Sequence, residues 1–348
     1  MPEQSKQLNV LVMRLSAMGD ILHALPAITA LRQSHPGWRI GWAVEPQWKP
    51  LLAANGATER SPEMPLVDRV HVVPARKWAR SPVSPRTLRE VAQTRRELRA
   101  ERYDICVDLQ GAMRSAWIAN WARAPRVIGE DQPRERVARY LFTERVHTSG
   151  VHVIEQAMEV TNAILGESLT TPLPLLPCDA AAERKADAVA KPFVLLNPGA
   201  GWGAKRWPAD RYAAVAENLR RSDYNVVVNA GPGEEFLASQ ISKLSREAAS
   251  VFRSSIAELI SLTRRAALVI GGDTGPMHLA SALGRPVVAI FGPTDPARNG
   301  PFGGNFRVLR HPQSKRDHSR HSEPEAGLLT ITPEAVQSAA AELLQEAS

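Results

Sequence analysis

The chain carries only two cysteines, Cys106 and Cys178, in 348 residues. That excludes a disulfide-stapled fold and any zinc site built on cysteine spacing, and it fits a reducing, cytoplasmic setting. Cys106 lies in the apolar run Ile105-Cys106-Val107 and reads as a small buried hydrophobe, while Cys178 follows a Pro-rich connector. Aromatic residues make up 5% of the chain and the eight tryptophans are scattered, whereas a nucleic-acid surface interleaves aromatics with a basic stripe. No nucleic-acid partner is therefore expected. No apolar run approaches the roughly 18 residues of a membrane span. The first residues, Met1-Pro2-Glu3-Gln4-Ser5-Lys6-Gln7, lack the apolar core of a signal peptide. No Gly-x-Gly-x-x-Gly follows the first strand-like run, which disfavours a nicotinamide dehydrogenase, and no Gly-Lys-Ser/Thr completes a Walker A loop.

What is present is ordinary globular material, 44% hydrophobic and 23% charged, with a net charge of +7. The length suits two domains of roughly 150 residues each, and the positive balance favours anionic partners. Short apolar runs at 9–14, 40–45, 69–73, 104–109 and 126–129 alternate with helical patterns at 21–33, 87–101, 112–121 and 151–165. The alternation resumes with strands at 193–197, 225–230, 250–252, 268–271 and 286–291 and helices at 209–221, 234–245, 256–264 and 276–283. Apolar strands between helices imply parallel sheets covered on both faces. The expectation is α/β: two Rossmann-like doubly wound domains, 1–175 and 190–348, joined through 171–192 and facing each other across a cleft. A last helix, 333–346, follows a polar loop, 311–325, expected to be mobile.

Ligands of such sheets bind at the carboxyl ends of the strands, so the motifs there carry the chemistry. Gly272-Asp273-Thr274-Gly275-Pro276-Met277-His278 turns a strand into a helix, and the free N–H groups and dipole of a helix start favour phosphate. Asn197-Pro198-Gly199-Ala200-Gly201-Trp202-Gly203-Ala204-Lys205-Arg206 places glycines and two cations after another strand of the same domain, so both loops can grip one pyrophosphate. Gly231-Pro232-Gly233-Glu234-Glu235 offers an acid for ribose hydroxyls, or simply acids in a helix's first turn. In Phe291-Gly292-Pro293-Thr294-Asp295-Pro296, Thr294 or Asp295 touches a donor or forms a turn. In the first domain, Ser16-Ala17-Met18-Gly19-Asp20 ends on a carboxylate that serves either as a helix cap or as a general base. His23, one helical turn on, lines the cleft or packs. Arg76, Lys77 and Arg80, then Arg114, Arg134 and Arg136, suit an anionic acceptor. His311, His318 and His321 lack companions at metal-ligand spacing, and no metal is expected.

The run Met13-Arg14-Leu15-Ser16-Ala17-Met18-Gly19-Asp20-Ile21-Leu22-His23-Ala24-Leu25-Pro26 resembles the N-terminal motif of glycosyltransferase family 9, the ADP-heptose:lipopolysaccharide heptosyltransferases. Asp108-Leu109-Gln110-Gly111 with Arg114-Ser115-Ala116, Gly272 to Leu279, and Phe291 to Pro296 resemble further segments of that family, in order, over most of the chain. The resemblance implies a GT-B fold and an inverting, metal-independent transfer with ADP-heptose as co-substrate and no cofactor. It puts the catalytic aspartate at Asp20. Donor contacts fall on Gly199, Ala200, Gly201, Lys205, Glu235, Asp273, Thr274, Gly275 and His278. Acceptor contacts fall on Ser16, Gly19, His23, Arg76, Lys77, Arg80, Gln110 and Arg114. Relatives often carry hydroxyl residues where this chain has Ala200 and Gly201, so backbone N–H groups would meet the phosphates there. Residues 16–26, with Trp42-Ala43-Val44-Glu45 and the basic segment Pro74-Ala75-Arg76-Lys77-Trp78, are closer to the heptosyltransferase I branch than to heptosyltransferase II. The acceptor implied is the Kdo (3-deoxy-octulosonate) of lipid A, a glycolipid, with peripheral contact at the inner membrane. Another family 9 transferase with a different sugar, or a GT-B-like sugar-nucleotide epimerase, are the alternatives.

Overall fold

The computed structural model describes residues 7–317 and 321–346, and the chain divides into two units, Met1–Pro177 and Cys178–Ser348. The first unit runs β1 (Asn9–Met13), α1 (Met18–Ser34), β2 (Arg39–Val44), β3 (Arg69–Val72), α2 (Ala75–Arg80), α3 (Pro85–Ala100), β4 (Ile105–Asp108), α4 (Met113–Ala119), β5 (Arg126–Glu130), β6 (Glu144–Val146) and α5 (Val153–Leu165). Its six strands form one sheet in the order β3-β2-β1-β4-β5-β6, and every pairing is parallel. Four of the five β1 residues are buried and all four of β4, as strands covered on both faces require.

Helix α1 is buried from Ile21 to Arg32, because its sequence is apolar nearly all round. The one cation in that stretch, Arg32, is satisfied inside: it donates to Asp68 Oδ2 at 2.5 Å and to the carbonyls of Trp38 at 2.7 Å and Leu66 at 3.0 Å. Burial lowers the Arg32 pKa, and the Asp68 charge opposes the shift. Helix α3 is the opposite case, a charged surface helix that starts at Pro85 after the Ser84 hydroxyl accepts from Thr87 N–H at 3.1 Å.

The second unit runs α6 (Ala180–Asp187), β7 (Phe193–Asn197), α7 (Ala209–Arg221), β8 (Asn225–Ala230), α8 (Glu235–Leu244), β9 (Ala249–Arg253), α9 (Ile256–Arg265), β10 (Leu268–Gly272), α10 (Gly275–Ala282), β11 (Val287–Phe291), α11 (Pro296–Asn299), β12 (Phe306–Arg310) and α12 (Pro333–Glu346). Its sheet order is β12-β11-β10-β7-β8-β9, again all parallel. Helix α12 closes this unit's own core, burying Val336, Ala340 and Leu343 beside β-strand residues such as Ile270 and Ile290.

Several elements differ from the sequence reading. Strands β6 and β12 and helices α2, α6 and α11 were not predicted. Helix α6 lies inside the expected connector and belongs to the second unit. The loop at 311–325, expected to be mobile, is tied down at its described residues. Ser314 Oγ donates to Glu325 at 3.0 Å, Asp317 N–H donates to the Pro293 carbonyl at 3.0 Å, and Ala204 N–H donates to the His321 carbonyl at 3.1 Å.

Candidate active site

In the first unit the site begins where β1 and β4 end side by side, with Met13 in register with Asp108. The two loops leaving them are joined at once: Leu15 N–H donates to Gln110 Oε1 at 2.7 Å. Arg14 fastens the rest. Its guanidinium pairs with Asp20 Oδ1 at 3.1 Å, donates through Nε to the Asp20 carbonyl at 3.1 Å, and reaches the Leu109 carbonyl through Nη1. Asp20 Oδ2 accepts from Ala17 N–H at 3.0 Å. Of the two expected roles of Asp20 the structure shows the cap, since this carboxylate sits in the first turn of α1 and accepts from the N-cap N–H. It is still 42% exposed, so a ligand can reach it.

Behind this edge lies Asp108, 1% exposed. Burial pushes its carboxyl up to about 6, although the N–H groups of Gly111 and Gln110 and the Ser115 hydroxyl all favour its charged form. Those three donors serve Oδ1 at 2.9, 2.8 and 3.1 Å, while Oδ2 is buried without a hydrogen-bond partner. Glu45 is raised by burial too, against the Arg76 N–H that it accepts at 2.9 Å.

The acceptor residues expected from sequence fall into two groups. Ser16, Gly19 and Gln110 are part-buried at the β1–β4 edge beside Asp20, and Arg114 stands exposed on α4. Arg76, Lys77 and Arg80 are exposed on α2. Lys77 Nζ is engaged there by Glu90 at 2.8 Å; hydrogen bonds from Lys77, Trp78 and Arg86 hold Glu90 at about 2. His23, 7% exposed, packs its ring edge-on against His152 with centroids 5.6 Å apart. Of its two expected roles the structure shows packing, because α1 is buried around it.

In the second unit three adjacent strands, β11, β10 and β7, lead into loops that carry polar residues. Asp273 follows β10, 6% exposed. Its Oδ2 accepts from Lys205 Nζ at 2.5 Å and its Oδ1 is 3.1 Å from His278 Nε2. Burial pushes the Asp273 carboxyl up, but the hydrogen bond and charge of His278 and the charge of Lys205 outweigh it, and it is held well below the usual carboxylate range. Lys205 Nζ also donates to the Asp273 carbonyl at 3.3 Å and lies 5.2 Å from the centre of the Trp202 ring. An ammonium has three N–H groups; two are committed to Asp273, which aims the third and the charge. Thr274 is the N-cap residue of α10 and Gly275 its first residue, so backbone donors and the positive end of the helix dipole share this mouth. The arrangement can hold a polyanion such as a diphosphate, with Asp273 and His278 setting the cation.

The loop after β7 supplies the opposite wall. Ala200 is buried and its carbonyl accepts from Arg206 Nη2 at 3.3 Å, and Gly201 faces open space. A methyl group on Gly199 would strike the Glu234 carboxylate, which also accepts from Gly231 N–H at 3.1 Å. Glu235, the expected ribose contact, is the first residue of α8, and its neighbour Glu234 folds back over the β7 loop. Sequence spacing could not choose between neighbours one residue apart; the tight turn at Gly233, φ +85°, decides which carboxylate returns. The reading also passed over Asn197, at the end of β7 and 2% exposed, whose two amide atoms have no partner. Thr294 Oγ1 is buried without a partner as well, while Asp295 caps α11 and pairs with Arg316. Among the described residues no cluster of three or more His, Cys, Asp or Glu side chains is arranged for a metal ion. His321 Nε2 lies 3.1 Å from Asp317, His311 Nδ1 accepts from Gln313 N–H at 3.2 Å, and His318 lies outside the described residues.

Two doubly wound parallel domains, one with a cation beside a helix start fit for a diphosphate, make up the GT-B fold found in many glycosyltransferases. Residues 91–328 match glycosyltransferase family 9 (heptosyltransferase), and the chain belongs to that family. It is 30% identical to lipopolysaccharide heptosyltransferase 1 of Salmonella typhimurium over 88% of this chain and 95% of that protein. It is 29% identical to lipopolysaccharide heptosyltransferase 1 of Pseudomonas aeruginosa over 85% and 82%. The solved structure of E. coli heptosyltransferase WaaC with ADP superposes with a TM-score of 0.80 at 26% identity, covering 97% of this chain and all of that one.

Proposed function

We propose that this glycosyltransferase moves heptose from ADP-heptose to the Kdo region of lipid A, with inversion at the anomeric carbon, as a heptosyltransferase I. The observation that carries the mechanism is the part-exposed Asp20 carboxylate, held by Arg14 and the α1 N-terminus at the carboxyl edge of the first sheet. Asp20 takes the proton of the acceptor hydroxyl as its oxygen bonds to the anomeric carbon, and the bond from that carbon to the ADP oxygen breaks. Negative charge grows on the departing diphosphate. Lys205 and the start of α10 stabilise it, already oriented by Asp273 and His278 before the reaction begins. Gly199, Ala200 and Gly201 let the backbone approach the diphosphate, and Glu234 lies nearest for the ribose hydroxyls. Residues 1–177 hold the acceptor and residues 178–348 the donor under this reading. No metal or other cofactor is invoked, and the enzyme works in the cytoplasm at the membrane where its glycolipid acceptor resides.

The names and coverage of the similar heptosyltransferases support the substrate pair. Incubation with ADP-heptose and Kdo-bearing lipid A, read by mass spectrometry, tests it. One added heptose per acceptor with release of ADP is expected. Transfer from a different nucleotide sugar with none from ADP-heptose would overturn the donor, and donor consumption without an acceptor would point to epimerisation.

A further inference from the structure

One face of the first unit exposes apolar side chains that its core does not claim. On α4 the outward stripe is Met113 and Trp117, one turn apart and 37% and 61% exposed. Beside it, Arg136–Leu141 is a 3-10 helix, in which residues three apart eclipse. That puts Val137 and Tyr140 on one side, 58% and 69% exposed. Hydrogen bonds at both ends hold the two stripes together: Met113 N–H to Glu135 Oε2 at 2.9 Å, and Asn120 Nδ2 to the Leu141 carbonyl at 3.1 Å.

The aromatic rings are also fixed in their outward poses. Trp117 stands edge-on to the buried Trp121 with centroids 5.3 Å apart. The Arg139 guanidinium lies 5.0 Å from the centre of the Tyr140 ring and donates to its hydroxyl.

The charge of the face is predominantly positive. Arg134 and Arg136 are exposed between the stripes and neither makes an ion pair with a described residue. Glu135 is exposed between them and keeps its negative charge while accepting from the Met113 N–H, so the two arginines outnumber the one acid. Four apolar side chains fall far short of the ~800 Å² per partner of a stable protein interface. They do match what a peripheral protein inserts at a bilayer surface, where tryptophan and tyrosine settle at headgroup level and arginines meet lipid phosphates.

We propose that the face built from α4 and the 3-10 helix Arg136–Leu141 docks on an anionic phospholipid bilayer, with Trp117 and Tyr140 as anchors and Arg134 and Arg136 as phosphate contacts. It deepens the reading of a membrane-borne acceptor and rests on that reading. Vesicle binding needs neither donor nor transfer, so each can fail without the other. The face is continuous with Arg114 and with the loop after β4, which places the bilayer beside the acceptor edge of the same unit.

The test is co-sedimentation of the full chain with vesicles of phosphatidylethanolamine and phosphatidylglycerol, against vesicles of phosphatidylcholine alone. Binding to the anionic vesicles that weakens with salt is expected. The double variant W117S/Y140S and the pair R134E/R136E should each lower partitioning by roughly tenfold, with the ADP-induced rise in melting temperature kept in W117S/Y140S. Equal binding to both vesicle types overturns the proposal. So does wild-type partitioning by a folded W117S/Y140S, or a dimer in solution that this variant abolishes. Brominated lipids give a reading that does not depend on that variant's fold: they should quench the bound wild type more than W117F, and equal quenching overturns the anchor.

Discussion

At the residue scale, the donor end of the chemistry is a matter of how one ammonium is held. Lys205 is aimed by a buried carboxylate that is itself braced by His278. Replacing Lys205 by Ala removes the charge proposed to face the diphosphate and leaves Asp273 facing His278 alone. Calorimetric titration with ADP should show affinity down by at least tenfold, the scale of a lost charge-assisted hydrogen bond. Unchanged affinity would remove Lys205 from the phosphate site. Asp108 yields a prediction in pH. It titrates at about 6 in the fold against 3.8 for an ordinary aspartate. The native state therefore holds the proton more tightly, and stability falls as pH rises between those two values, by roughly 3 kcal/mol in total. Asp108→Asn keeps a neutral acceptor for the same three donors, so it should gain on the wild type by that amount from pH 4 to pH 7. Parallel denaturation curves across this range would show that the buried carboxyl is not raised. Neither the orphaned Asp108 oxygen nor the partnerless Asn197 amide was legible in the sequence, because burial by distant elements creates both.

At the scale of elements, periodicity made the central strands and the long helices legible, since β1, β4, β7, β10 and β11 are unbroken apolar runs between helical patterns. The edge strands were not. Glu144-Arg145-Val146 and Phe306 to Arg310 carry charges and are only part-buried along much of their length, so their pairing comes from the neighbour already in place. Helix α6 hid in an Ala- and charge-rich stretch that reads as a linker until Glu183 is seen binding Arg264 and Arg265 of α9. The turn at Gly233 hid the identity of the returning acid. That element can be tested at Gly199, where the nearest atoms a Cβ would meet are those of the Glu234 carboxylate. Gly199→Ala should displace the Glu234 side chain, weaken ADP by about tenfold for roughly 1.4 kcal/mol, and leave the melting temperature nearly unchanged. Retained affinity would show that Glu234 is no donor contact.

At the scale of the whole molecule, two cores fold around two separate sheets, so unfolding need not be a single transition. A ligand stabilises only what binds it, by about 2.7 kcal/mol at a hundred times its Kd. In scanning calorimetry ADP should move the transition of residues 178–348 and leave that of residues 1–177 in place. A shift confined to the first unit would misplace the donor. The sequence showed two alternating α/β halves and a proline-rich joint between them. It could not show that the first half also presents an apolar, basic face, because Trp117 and Tyr140 are brought together only by the packing of α4 on the 3-10 helix.

The measurement that bears most directly on the proposed chemistry is single-turnover heptose transfer by Asp20→Asn, run beside its ADP titration. With the carboxylate gone, transfer from ADP-heptose to Kdo-bearing lipid A should drop on the order of a thousandfold, while ADP binds as it does to the wild type. Transfer at near wild-type rate in that variant would contradict the assignment of Asp20 as the base.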